Sequence, residues 1–333
     1  PTSALSEAEI NRLMEILATL KARGVTCIYI THKMNEFFRI TDTLTVLRDG
    51  KVVSSQPTAE LTPEKLVGQM VGREMKERFP RGERQPGDVI LEVQDLHGEW
   101  AGREVLKGVS FDLRKGEILG IAGLMGSGRT ELVMTLFGEC ANVTSGVIKI
   151  AGKPVQIRGS FAAMQHGLGL VPEDRKRYGL VLIQSIVKNI SLANLGRFGG
   201  ALAVNEDNEM AASTQIAQEL AVKAPSVQVP VSSLSGGNQQ KVVMAKWLLS
   251  NPQILIMDDP TRGIDVGAKF EIYKLMNTLA ERGIGIIMIS SELEEVLGMS
   301  DRVMVMWQGR SQGILRISEA TQERIMTMAT GLA

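Results

Sequence analysis

Gly123-Leu-Met-Gly-Ser-Gly-Arg-Thr130 follows an apolar run at 118–122 and precedes a helical pattern at 131–137. That strand–loop–helix order is the setting of a P-loop. Gly123, Gly126 and Gly128, with Ser127 between them, let backbone N–H groups close around phosphates, and the helix start adds a favourable dipole. Thr130, followed by Glu131, offers a hydroxyl to Mg²⁺, while Arg129 stands where the motif has Lys. A glycine-rich turn with no ligand is the alternative for this segment alone. Downstream, Ile254-Leu-Ile-Met is an apolar run ending in Asp258 and Asp259. At the C-terminal end of a parallel strand beside a P-loop, the first carboxylate can bind Mg²⁺ through water and the second can orient or deprotonate an attacking water. The plainer alternative is an Asp pair capping the next helix. A third segment, Leu234-Ser235-Gly236-Gly237-Asn238-Gln239-Gln240-Lys241, opens a helical pattern at 242–249. Its Ser and two glycines make a helix start whose backbone can touch a phosphate.

The elements that must position these residues read as α/β. Alternating patterns at 89–96 and 105–113 predict half-buried strands, and the apolar runs at 118–122 and 254–257 predict buried parallel strands with helices between them. Lys plus Arg equals Asp plus Glu, at 37 each, so no basic surplus points to nucleic acid. Cys27 and Cys140 stand apart without a C-x-x-C, which argues against a disulfide scaffold or a zinc site. No apolar run approaches the roughly 20 residues of a membrane span, so any membrane role is expected to be peripheral, through a partner.

The chain also repeats itself. Residues from Pro1 onward align on those from Pro260 onward at a constant offset of 259, without a gap: Glu36 falls on Glu295, Asp42 on Asp301, Gly50 on Gly309 and Gly72 on Gly331. The expected organisation is therefore the C-terminal remnant of one domain at 1–79, a Pro/Gly-rich linker at 80–88 and a second, complete domain at 89–333. Repeat arithmetic puts the missing piece of the first domain at roughly 180 residues, for a parent of about 510. The remnant is expected to be an incomplete half-core exposing Ile28, Ile30 and Val46.

In its motifs and their order the chain resembles ATP-binding-cassette (ABC) ATPases, and within them the tandem-cassette ATP-binding subunits of bacterial monosaccharide importers of the ribose, galactose and xylose class. Further segments carry the likeness: Val171-Pro-Glu-Asp-Arg-Lys176, Pro260-Thr-Arg-Gly-Ile-Asp-Val-Gly-Ala-Lys269 and Ser290-Ser-Glu-Leu293. The resemblance implies a P-loop fold with an antiparallel β subdomain and a helical subdomain at about 160–250. It implies ATP and Mg²⁺ as ligands and a sandwich in which each ATP lies between one cassette's P-loop and the other's signature loop, here Ser235–Gly237 with Gln239. It further implies permease subunits, a periplasmic sugar-binding protein acting indirectly, no nucleic acid, and a peripheral place on the cytoplasmic face of the inner membrane.

By the same resemblance His32, after an expected strand at 28–30, is the first cassette's switch histidine, with Ser291 as its counterpart in the second. Glu173 stands where the family usually has Gln. Asp259 replaces the usual Glu, withdrawing the carboxylate by about 1.5 Å. Trp100 can stack on adenine or simply pack. A non-hydrolysing partner cassette is the second reading. A soluble DNA-repair or translation ATPase is disfavoured: only about 110 residues separate Gly123 from Ser235, without sustained heptads, and the linker is short. If the P-loop reading is right, Thr130→Ala weakens Mg²⁺–nucleotide binding, and an unchanged affinity by titration calorimetry would remove the assignment.

Overall fold

The structure, a computed structural model, describes residues 7–31, 34–48, 50–71, 79–82, 84–199 and 204–332. It divides into two compact units, Pro1–Arg78 with Gly263–Phe270, and Phe79–Arg262 with Glu271–Ala333. In chain order the elements are α1 (Glu7–Ala22), α2 (Met34–Ile40), β1 (Thr43–Arg48), β2 (Lys51–Pro57), α3 (Pro63–Val71), β3 (Val89–Trp100), β4 (Arg103–Arg114), β5 (Ile118–Gly123), α4 (Arg129–Leu136), β6 (Asn142–Ile150), β7 (Lys153–Val155), α5 (Ser160–Gln165) and β8 (Leu168–Val171). They continue with α6 (Ile186–Ser191), α7 (Leu195–Phe198), α8 (Glu206–Glu219), α9 (Gly236–Leu248), β9 (Ile254–Asp258), α10 (Val266–Glu281), β10 (Gly285–Ile289), α11 (Leu293–Met299), β11 (Arg302–Trp307), β12 (Arg310–Arg316) and α12 (Gln322–Ala329).

The larger unit is built on a six-stranded sheet in the order β12-β11-β5-β10-β9-β8, parallel except for β12. Every residue of β8, β9 and β10 is buried, as continuous Ile, Leu, Val and Met runs require when helices cover both faces. The order seats β10 between β5 and β9 with Ile289 level with both Ile121 and Asp258. The C-terminal ends of three neighbouring strands therefore emerge together. A second, antiparallel sheet has the order β4-β3-β6-β7, and its alternating strands bury one face each.

The helical region packs α6, α8 and α9 on one another. It starts later than the sequence suggests, because Leu168-Gly-Leu-Val171 is a strand of the parallel sheet with all four residues buried. Local signals set its helices. Ser185 Oγ accepts from Lys188 N at 3.2 Å and Asn205 Oδ1 from Asn208 N at 3.0 Å, and Glu206, Asp207 and Glu209 sit in the positive first turn of α8.

Arg302 joins the two sheets. Its Nε donates to Glu117 Oε1 at 2.6 Å, and its Nη1 and Nη2 reach the Asp112 carboxylate at 3.1 Å each. Burial opposes ionisation of Asp112, yet Arg302 and then Arg114 outweigh it and hold the carboxyl below its ordinary value. Residues preceding β3 are anchored on the same unit. The Phe79 ring lies 5.5 Å from that of Tyr273 over Gly298, which has no room for a Cβ there. Arg84 donates to Asp301 Oδ2 at 3.2 Å and to Met299 O at 3.0 Å.

In the smaller unit the repeat holds residue by residue. α1, α2, β1 and β2 begin and end 259 residues before α10, α11, β11 and β12. Even the irregularity between Val46 and Leu47 recurs between Val305 and Met306. Ile28 and Ile30 are 92% and 83% exposed, as expected. Val46 is not: it is buried with Phe37, Leu44, Leu61 and Leu66 in a small core of its own, because β1 turns that face toward α2 and α3. Nor is 28–30 a strand. Its counterpart β10 is hydrogen-bonded on both edges, and no strand flanks 28–30 among the described residues, so its backbone lacks the ladder that defines one.

Removing Arg302 leaves Glu117 buried without its guanidinium. Arg302→Ala should cost about 2–3 kcal/mol in urea unfolding, less than a fully buried pair because Asp112 is partly exposed. Asp112 stabilises the fold above its unfolded-state pKa and loses that contribution as pH falls through its lower native value. Asp112→Asn should therefore flatten the acid limb of the stability curve.

Candidate functional site

β5 ends in Gly123, the loop turns through Gly126 (φ 76°), and Gly128 (φ 98°) precedes α4 in a left-handed conformation that other residues resist. A Cβ on Gly123 would lie 2.5 Å from Ser127 Oγ and 2.6 Å from Met306 O, so only glycine fits under the loop. The loop is braced from behind by Gly309 N, which donates to Ser127 O at 2.8 Å. Ser127 Oγ is buried and has no hydrogen-bond partner among the described residues. The first turn of α4 leaves N–H groups without intrahelical acceptors. An orphaned hydroxyl, free N–H donors and glycines that keep side chains out make a cradle suited to an oxyanion such as a phosphate.

The ends of β9 and β10 close the other side. Asp258 is the last residue of β9 and is buried. Burial pushes its carboxyl up to about 6, with the adjacent Asp259 charge adding to the rise, while a hydrogen bond from Thr130 and the charge of Arg129 oppose it. Thr130 lies in the first turn of α4, which packs on β9, and Asp258 ends that strand; the two supply oxygen donors of the kind Mg²⁺ takes. Arg129 Nη1 donates to Ser290 O, at the end of β10, at 3.3 Å. Burial draws the Arg129 pKa down, against the pull of Asp259, Asp258 and Glu131.

Asp259 holds a left-handed backbone (φ 44°), strained for a non-glycine residue. Its N–H donates to Ile289 O at 3.0 Å, and its Oδ1 accepts from Ser291 N at 2.6 Å and Ser291 Oγ at 3.0 Å. The second carboxylate is therefore bonded to the second residue after β10.

The structure gathers the P-loop, Asp258, Asp259 and Ser291 at one place. It does not bring the Ser235 segment there: α4 packs on β4, β5 and β9, whereas α9 packs on α6, α8 and β8. Ser235 is exposed ahead of α9, and its Oγ accepts from Asn238 Nδ2 at 3.0 Å. Gly236 opens the helix and Gly237 is buried behind it. Gln239 is buried too, with Nε2 on Val231 O at 3.2 Å and Oε1 near Arg175 Nε, so it supports the loop rather than lining it. Glu173 pairs with Arg262, and Arg175 Nη1 donates to Arg262 O at 2.7 Å. Trp100 is exposed where β3 turns into β4, and His32 lies outside the described residues.

Sequence reading missed several contributors. Gly309 and Ser290 act through backbone atoms, which no residue type announces. Arg175 and Arg262 sit in quoted motifs, but their pairing spans 87 residues of chain.

Residues 106–262 match the family described as ABC transporter. The chain is 49% identical over 334 residues to the xylose import ATP-binding protein XylG of Thermoanaerobacter pseudethanolicus, covering 99% of this chain and 66% of that protein. It is likewise 49% identical over 331 residues to a putative ribose/galactose/methyl galactoside import ATP-binding protein of Rhizobium etli, covering 99% of this chain and 62% of that protein. The chain thus spans about two thirds of the length of these curated relatives. The crystal structure of a nucleotide-free ATP-binding cassette from an ABC transporter superposes with a TM-score of 0.62 at 21% identity, covering 73% of this chain and 96% of that chain, a likeness of fold. Motif order, strand order and these likenesses agree, and the chain belongs to the ABC transporter family of ATP-binding-cassette proteins.

Proposed function

We propose that the chain is the ATP-binding, ATP-hydrolysing part of a bacterial monosaccharide importer. It works peripherally on the cytoplasmic face of the inner membrane against permease subunits, with a periplasmic sugar-binding protein acting through them and a second cassette completing the ATP sandwich. The observation that carries the reading is the glycine cradle with its buried, unpartnered Ser127 hydroxyl, set beside the buried Asp258 at the end of β9. The import functions in the relatives' names support the substrate class. That no described helix is long and apolar enough to cross a membrane is compatible with docking through a partner.

In this reading the N–H groups of Gly126 to Thr130 receive the phosphates, and Arg129 lies against their β/γ end in place of Lys. Thr130 and Asp258 would hold Mg²⁺, which when bound neutralises charge on the β- and γ-oxygens. The start of α9, with Ser235 exposed ahead of it, would face a nucleotide held by the other cassette. Asp259 is the weak element. To orient a water it must release two bonds from Ser291, and Ser291 cannot present an imidazole to the γ-phosphate. The second reading, a site that binds nucleotide and turns it over slowly, is favoured by that Asp259–Ser291 contact.

Two measurements test this. The purified 333-residue chain should bind Mg²⁺–ATP yet release phosphate slowly, and Asp259→Asn should change that slow rate little. In cells, chromosomal Ser235→Arg or His32→Ala should reduce uptake of one labelled monosaccharide among xylose, ribose and galactose by about 10²-fold or more, the usual consequence of losing one transition-state contact. Asp259→Asn should spare most uptake. Unimpaired uptake of all three sugars in the Ser235→Arg strain would overturn the importer assignment.

A further inference from the structure

Glu295, in the first turn of α11, is 1% exposed and belongs to none of the motifs above. Taking a carboxylate out of water is costly unless donors replace the lost solvation, and three hydroxyls converge on it. Thr261 Oγ1 lies 2.8 and 2.7 Å from its two oxygens, Ser290 Oγ at 2.8 Å and Tyr273 Oη at 2.6 Å. Those donors come from three elements. Thr261 is two residues after Asp259, in the loop that leaves β9. Tyr273 is on α10. Ser290 follows directly on β10, and its carbonyl oxygen accepts from Arg129 while the next residue, Ser291, donates twice to Asp259. One buried carboxylate therefore holds the peptide that orients Arg129 and the loop that carries Asp259.

The repeat supplies an independent observation. Glu36, 259 residues earlier, is also buried, and its Oε2 accepts from Thr31 Oγ1 and from Tyr29 Oη at 2.8 Å each. Thr31 corresponds to Ser290, but Tyr29 corresponds to Met288, and the counterpart of Tyr273 is Met14. Tyr and Met have changed places between the two copies, so the tyrosine hydroxyl arrives from a different direction in each. The acceptor and its two kinds of donor survive even where the surrounding core has been rearranged. A residue that merely filled space would not need its donors replaced in this way.

We propose that Glu295 is a positioning residue for the nucleotide site of the larger unit. It holds Ser290 and Ser291 so that Arg129 is presented to the β/γ end of a bound nucleoside triphosphate, and Glu36 is its counterpart in the smaller unit. The proposal rests on the nucleotide-site reading above. Because the residue acts through Arg129, its effect falls more heavily on ligands that offer Arg129 both β- and γ-phosphates than on those that stop at β.

The test measures Mg²⁺–adenylyl imidodiphosphate and Mg²⁺–ADP binding to the 333-residue chain by titration calorimetry. Glu295→Gln should weaken the triphosphate analogue about tenfold and ADP less than about twofold, the scale of one good hydrogen-bonded contact. A folded Glu295→Gln protein that loses both ligands equally, or neither, overturns the proposal. If circular dichroism shows that Glu295→Gln does not fold, Tyr273→Phe and Thr261→Val decide the matter. Each keeps the carboxylate and removes one donor, and about a threefold loss confined to the triphosphate analogue is expected; silence of both overturns it. Arg129→Ala distinguishes the two levels. If it changes neither affinity, the nucleotide-site reading itself falls and takes the proposal with it, whereas an effect of Arg129→Ala beside a silent Glu295→Gln sinks the proposal alone.

Discussion

The backbone ladder that seats β10 between β5 and β9 is the interaction on which the site depends. Those strands are 118–123, 285–289 and 254–258 in the chain, so no local signal places them together. Once paired in register, they deliver the P-loop, Ser290 with Ser291, and Asp258 with Asp259 to one edge of the sheet. Ligand sites in open α/β sheets form where strands end at their carboxyl side, and here each strand end leads into a different chemistry-bearing turn.

The same burial that makes the strands pair also sets the electrostatics of the site. Asp258 sits at the end of a fully buried strand, and desolvation disfavours its charge more than Thr130 and Arg129 favour it. Arg129 pays the corresponding cost as a partly buried cation drawn toward Asp259, Asp258 and Glu131. A doubly charged cation arriving between Thr130 and Asp258 would reverse that balance, because a metal is the largest local charge in such a site. The strained backbone of Asp259 and its bonds to Ser291 show how tightly this edge is packed before any ligand is added.

The two copies of the repeat show what a local sequence specifies and what its neighbours supply. α1, α2, β1 and β2 form in the smaller unit with the lengths and even the irregularity of their counterparts, because amphipathic patterns and turn residues are carried by the segment itself. The stretch 26–30 has the same kind of apolar sequence as β10 and forms no strand. A buried parallel strand is defined by hydrogen bonds on both edges, and those partners are distant in sequence.

By itself the sequence determined the fold class, the internal repeat and its offset, the glycine cradle, the Asp pair and the helix start at Ser235. These are legible because each rests on residue type at short range: glycine where the backbone must approach closely, carboxylates after an apolar run, serine before a helix. Tertiary structure alone decided which of these motifs share a site, putting Asp258 beside the P-loop helix and leaving Ser235 elsewhere. It also buried Val46 and Gln239, which the sequence offered as exposed or ligand-facing, since a residue's burial depends on which face its neighbours cover. It revealed Glu295, Gly309 and the Ser290 carbonyl as parts of the site. Their contributions travel through backbone atoms and through hydroxyls brought from three separate elements, and a carboxylate that does its work inside the core has no signature in the chain until the core is assembled around it.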